Sequence, residues 1–161
     1  MAEPLTARQT VLAVFPAGED RIALDKIFAG SDWSLHQTRT LVEARKALDV
    51  SPIDAVLSDR RFPDGQSWQD LLCILQHKLN PPPLIVADRL ADERLWAEVL
   101  NLGGDDLLLK PFHASEVLYA VGSACRRSQN QKQAIAPRKV SATPERSALS
   151  AARARAGSSG R

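Results

Sequence analysis

The chain predicts an α/β domain, a doubly wound sandwich around a parallel sheet. Three observations carry that prediction. Five short apolar runs alternate with five helical patterns between Thr10 and Arg126. The runs are apolar throughout rather than alternating, as expected for strands buried on both faces. The links between them are short and hold glycine, proline or aspartate.

Thr10-Val11-Leu12-Ala13-Val14-Phe15 reads as the first strand, broken by Pro16-Ala17-Gly18. Glu19 and Asp20 then open a helix, where acids in the first turn suit the helix dipole. Its expected inner face is Ile22, Ala23, Ile27 and Phe28, and Gly30 ends it. Trp33 to Thr38 is a weaker second strand. Leu41 to Leu48 is the second helix, with Leu41, Ala44 and Leu48 in register. Ile53 to Asp59 is the third strand and ends on a carboxylate. Pro63-Asp64-Gly65 turns the chain, Ser67 caps the third helix, and Leu71, Leu72, Leu75 and Leu79 give its apolar face. Pro81-Pro82-Pro83 leads into the fourth strand, Leu84 to Ala87. Ala91 to Leu102 is the fourth helix, closed by Gly103-Gly104. Leu107-Leu108-Leu109 is the fifth strand. Ser115 to about Arg126 is the last helix, with Val117, Leu118, Val121 and Ala124 inward.

Charge divides the chain at the end of that helix. Residues 1–125 hold 12 basic and 18 acidic side chains, net −6, whereas residues 126–161 hold 9 basic and 1 acidic, net +8. The expected organisation is a polar lead over 1–9, a folded domain over 10–127, and a disordered basic tail over 128–161. The tail lacks apolar periodicity and cannot offset the entropy of ordering. With 44% hydrophobic residues the body can build a core without staples. Cys73 and Cys125 share no ligand spacing and are expected as small buried hydrophobes. The longest apolar run, Leu71 to Leu75, is far short of a membrane span. The start lacks a basic segment followed by an apolar one, so the expected location is the cytoplasm, with no membrane partner.

In doubly wound sheets, sites form at the carboxyl ends of the strands. Phe15, Asp59, Asp88 and Lys110 fall there. An aspartate and a lysine ending neighbouring apolar strands would pair at the rim of such a site. His36, His77 and His113 are scattered and form no metal spacing. Trp33, Trp68 and Trp96 are expected in packing roles. Arg60-Arg61 is either a solvated loop or an anion-attracting rim.

Three motifs sit in this order: Asp59-x-x-x-Pro63 after the third strand, Gly103-Gly104-Asp105-Asp106 before the fifth, and Lys110-Pro111-Phe112 after it. With Glu43-Ala44 in the second helix, the chain from Thr10 to Arg126 resembles the receiver domain of bacterial two-component response regulators. The resemblance implies a flavodoxin-like (βα)5 sandwich, its parallel five-stranded sheet in order 2-1-3-4-5. It implies that Asp59 is the phosphoacceptor, that Lys110 contacts the phosphoryl group, and that a sensor histidine kinase or another signalling protein is the partner. It also implies a docking face on helix 4, strand 5 and helix 5, where Trp96, Glu98, Glu116 and Tyr119 lie and a second copy could bind.

Several positions depart from the receiver pattern. Phe15 and Pro16 stand where an acidic pair normally helps hold magnesium, and neither can ligate a hard cation. Glu19 and Asp20 follow, but read as helix residues. Asp88 stands at a hydroxyl position; it either bonds Lys110 as a fixed charge or points away. Leu107 replaces an aromatic switch residue. The expectation is an atypical receiver in phosphorelay signal transduction, with Mg2+ as cofactor only if Asp59 is functional.

No Gly-rich phosphate loop follows the first strand, and no Ser/His/Asp or Cys/His set converges, so enzymatic activity on this sandwich is not expected. An adaptor role through weak, nonspecific nucleic-acid contacts of the basic tail is the alternative.

Overall fold

A computed structural model describes residues 8–90 and 92–135. Ten elements alternate along the chain: β1 Thr10–Val14, α1 Gly18–Ala29, β2 Ser34–Thr38, α2 Leu41–Val50, β3 Ala55–Asp59, α3 Trp68–Gln76, β4 Leu84–Asp88, α4 Glu93–Leu102, β5 Asp106–Leu109 and α5 Ala114–Ile135. The strands form one parallel sheet in the order β2-β1-β3-β4-β5. This is the flavodoxin-like sandwich the sequence predicts.

Alternation along the strands divides the core into two layers, because successive side chains leave opposite faces of a sheet. Leu12, Val14, Val56, Leu84 and Val86 pack with α2, α3 and α4. Val11, Ala13, Phe15, Ala55, Leu57, Ile85, Ala87 and Leu108 pack with α1 and α5. The same parity assigns the strand-end residues. Asp59 continues the Ala55–Leu57 row, and Lys110 continues the row of Leu108, so both belong to the α1/α5 layer. Asp88 continues the Leu84–Val86 row and belongs to the opposite one.

Caps set several helix starts. Thr40 accepts from the Glu43 amide at 3.2 Å, and Asp92 accepts from that of Leu95 at 2.9 Å. Ser67 and Asp70 form a reciprocal capping box. Helix α4 ends on Gly103, whose φ of +116° is left-handed and suits glycine.

Four features differ from the sequence reading. The buried stripe of α1 is Asp20, Leu24 and Phe28, while Ile22 is 59% exposed. Of the expected inner face, Phe28 is buried and Ile27 packs partly buried against the core, but Ile22 faces out and Asp20 and Leu24 were missed, because a carboxylate on the inward stripe disguises the apolar period. Helix α3 stops at Gln76, well before the prolines, which leaves Leu79 91% exposed. Cys73 is exposed and only Cys125 is buried. Helix α5 runs on to Ile135, past the expected boundary at 127, so residues 128–135 are helical. The chain divides into two units between Cys125 and Arg126, where the charge changes sign. Residues 136–161, most of the expected tail, lie outside the described residues, as do lead residues 1–7.

Candidate functional site at the carboxyl edge of the sheet

Three charged side chains converge at the carboxyl edge of the sheet, from the end of β3, the residue after β5 and the first turn of α1. Lys110 Nζ donates to Asp59 Oδ1 at 2.9 Å and to Asp20 Oδ2 at 2.7 Å. The Lys110 and Asp20 side chains are each 8% exposed and that of Asp59 15%. Lys110 follows β5 directly, and its amide donates to the Asp88 carbonyl at 3.1 Å, prolonging the β4–β5 ladder. Asp59 ends β3; its Oδ1 also accepts from the Arg60 amide at 2.9 Å. Asp20 arrives from the first turn of α1, carried inward on the same stripe as Leu24 and Phe28.

Phe15 forms the floor. Its backbone amide donates to the Thr38 carbonyl at 3.0 Å, extending β1 by one residue. The ring is fully buried, lies 5.4 Å from Lys110 Nζ and meets Phe112 edge-on at 5.7 Å. An ammonium at that distance from an aromatic face gains cation–π attraction. Phe15 is therefore part of the core and of the lysine's surroundings.

The expected Asp59–Lys110 pair forms, but not between neighbouring strands: β4 lies between β3 and β5. The expectation that Asp88 might bond Lys110 fails: Asp88 Oδ2 accepts from Arg60 at 3.1 Å and from the Leu90 amide at 3.3 Å. Strand parity turns Asp88 away from Lys110, and the guanidinium satisfies it there. Ala87, not Asp88, is the register partner of Asp59. Arg60 is thereby engaged by Asp88. Leu107 lies in β5 and packs partly buried against the α2/α3/α4 layer. Pro16 follows the buried Phe15, and its carbonyl accepts from Arg21 at 3.5 Å. Asp20 is the residue that sequence reasoning placed in the helix and missed for the site. The available signal was its spacing, one and two turns before Leu24 and Phe28.

Burial, the largest single influence on Lys110, pulls its pKa down. Hydrogen bonds and charge from Asp20 and Asp59 push it up and together prevail, so the pKa stands above the ordinary 10.5. A lysine pKa raised by folding stabilises the fold below the unfolded value, and that stabilisation is lost as pH climbs through the folded value. Wild type is therefore expected to lose, above about pH 10.5, a stability increment that Lys110→Met never had. Thermal midpoints of both proteins from pH 7 to 12 check this; parallel curves would contradict it.

Magnesium is the cation that the resemblance implies. Phe15 and Pro16, which the resemblance aligns with the acidic pair, offer no side-chain oxygen. The two carboxylates that do converge are both held by Lys110. Among the described residues, no group of three or more His, Cys, Asp or Glu side chains could hold a metal ion.

No protein-family model matches the chain. Among curated proteins it is similar to the transcriptional regulatory protein QseB of Escherichia coli O157:H7, 33% identical over 113 residues, which cover 69% of this chain and 48% of QseB. The chain thus spans about half the length of that relative. Among solved structures it is similar to the signal receiver domain of an HD domain-containing protein from Pseudomonas fluorescens Pf-5, with a TM-score of 0.70 at 22% identity, covering 82% of this chain and 97% of that one. It is also similar to the receiver domain of a sensor histidine kinase from Pseudomonas aeruginosa PAO1, described with magnesium in its active-site cleft. There the TM-score is 0.66 at 19% identity, covering 74% of this chain and 99% of that one. The chain has the bacterial receiver-domain fold.

Proposed function

We propose that this chain is a receiver-type signalling module, acting in a phosphorelay through contacts with a sensor histidine kinase or another signalling protein. The reading assigns a regulatory rather than an enzymatic role, in the cytoplasm. No helix among the described residues is long and apolar enough to cross a membrane. Asp59 occupies the phosphoacceptor position and Lys110 the position that contacts the phosphoryl group. In that transfer an Asp59 oxygen bonds to the donor's phosphorus as the donor's own bond to it breaks, P–N in a phosphohistidine or P–O in acetyl phosphate, and Lys110 meets the charge on the phosphoryl oxygens.

One observation shapes the reading: Lys110 is held by Asp20 and Asp59 together. An incoming phosphoryl dianion would share the ammonium with Asp20 and add negative charge beside that carboxylate. With Phe15 and Pro16 at the acidic-pair positions, no side-chain oxygens there offset that charge. Phosphorylation at Asp59 is therefore slow or absent, and signalling rests on the protein surface. Incubation with acetyl phosphate and Mg2+, read by intact mass, is expected to add no phosphoryl group. An added phosphoryl mass that disappears in Asp59→Ala would overturn this.

The net charge of +8 over residues 126–161 favours one alternative, nonspecific nucleic-acid binding. Salt-dependent DNA binding that is lost on removal of residues 128–161 would identify it.

A further inference from the structure

Strand β2 closes one edge of the sheet, and among the described residues β1 is its only strand neighbour. The Ser34 amide donates to the Gln9 carbonyl at 2.8 Å, and the Thr38 carbonyl accepts from the Phe15 amide at 3.0 Å. The backbone groups of Ser34, His36 and Thr38 therefore face β1. These directions alternate along a strand, so Leu35 and Gln37 turn their N–H and C=O groups to the outer edge. Natural edge strands are commonly blunted by lysine, proline or other charges. Ser34-Leu35-His36-Gln37-Thr38 carries none of these. Charges stand just outside it: Asp32 precedes the strand and Arg39 follows it, both exposed. Among the described residues neither side chain has an ion-pair partner.

We infer that the outer edge of β2 pairs with the same edge of a second copy of this chain, continuing the sheet across a two-fold axis. Such an axis makes the two strands antiparallel and the contact self-complementary. Centred on His36, the middle residue, it pairs the whole of β2 with itself. Leu35 of one copy then lies opposite Gln37 of the other. Both turn their backbone groups outward, so each such pair exchanges its amide–carbonyl bonds in both directions. Centring on Leu35 or Gln37 would also align outward groups, but would leave one end of the strand without a partner. The charges agree with the His36 centre. It brings the Asp32 end of each copy to the Arg39 end of the other, and sets Arg39 against Trp33, whose ring suits a guanidinium. That match at both ends favours a copy of this chain over an unrelated strand. The exposed His36 side chains face each other at the axis, on Cα atoms about 4.5 Å apart. One short strand makes a small contact, so the dimer is weak, with a Kd on the order of 10–100 μM. This edge is the opposite one from β5, and the pairing holds whether or not Asp59 takes a phosphoryl group.

Analytical ultracentrifugation of the full chain near neutral pH, from about 1 μM to about 1 mM, is expected to show monomer giving way to dimer. His36→Lys and His36→Glu each set like charges face to face at the axis, and each should weaken the dimer about tenfold or more. Mixed in equal amounts, the two variants should form a heterodimer at least as strong as the wild-type dimer, because the charges then attract. Asp32→Lys should also weaken the dimer, and Asp32→Lys with Arg39→Asp should restore it. All three positions are exposed, so the variants should fold, and circular dichroism checks that they do. A chain that stays monomeric to about 1 mM overturns the proposal. So does a dimer that the His36 variants leave intact, or one that Trp96→Ala dissociates in their place. A dimer that forms only once residues 1–7 are removed would give the edge to this chain itself, and overturns the proposal as well. The acetyl phosphate experiment tests the receiver reading separately, and neither result decides the other.

Discussion

Lys110→Met is expected to destabilise the fold by about 3–5 kcal/mol, the cost of removing one partner from a buried ion pair. Methionine keeps much of the side-chain volume, so the loss is electrostatic. It leaves Asp20 and Asp59 close together, nearly buried, with their shared cation gone. Two like charges in that position repel and are poorly solvated. The triple variant Asp20→Asn, Asp59→Asn, Lys110→Met removes the stranded charges as well. It should recover much of the loss, since neutral replacement of a buried ionic group is often tolerated. Urea unfolding of wild type, single and triple variants measures both steps. A single variant as stable as wild type would mean that the triad contributes no stability.

Phe15→Asp is expected to cost at least as much, although it restores an acid that the resemblance calls for. Truncating a fully buried phenylalanine costs about 3–5 kcal/mol, and Phe15 is entirely inaccessible. The replacement also removes the edge contact with Phe112 and the ring beside Lys110. It then adds a third carboxylate next to Asp20 and Asp59 with one ammonium among them. Phe15→Ala separates the two contributions: it should lose the packing share and spare the repulsion. Chemical denaturation ranks the three proteins, with Phe15→Asp the least stable. If it proved more stable than Phe15→Ala, the site would hold a further counter-charge.

Both predictions turn on Asp20, and Asp20 shows where sequence reading stops. The apolar runs, the caps and the strand-end Asp59 and Lys110 were legible, because strand burial and turn chemistry are local and periodic. The pairing of Asp59 with Lys110 was expected between neighbouring strand ends, yet it spans the intervening β4. The phase of α1 was only partly legible: Phe28 and Ile27 face the core as expected. Ile22 looked inward by composition, yet Asp20, Leu24 and Phe28 form the buried stripe. A charge on the inward face is tolerable only if a distant residue meets it, and Lys110 is 90 residues away in the chain. Asp88 teaches the same lesson from the other side. Its place at a strand end was plain, but which face it left and which cation met it depended on parity within the assembled sheet. Cys73 looked like a packing residue, and its exposure reflects what surrounds the helix rather than the helix itself.

Sequence by itself determined the alternation of five strands and five helices and the place of Asp59 and Lys110 at strand ends. These follow from hydrophobic period and turn residues, both short-range properties. It also located the change of charge, which falls inside the last helix at the boundary between the two units. Tertiary structure decided which side chains share a space. It put Asp20 on Lys110, Arg60 on Asp88, and a phenylalanine ring beneath the ammonium. Those pairings are set by desolvation and Coulomb attraction between residues far apart in the chain, and such terms exist only once the sheet has closed.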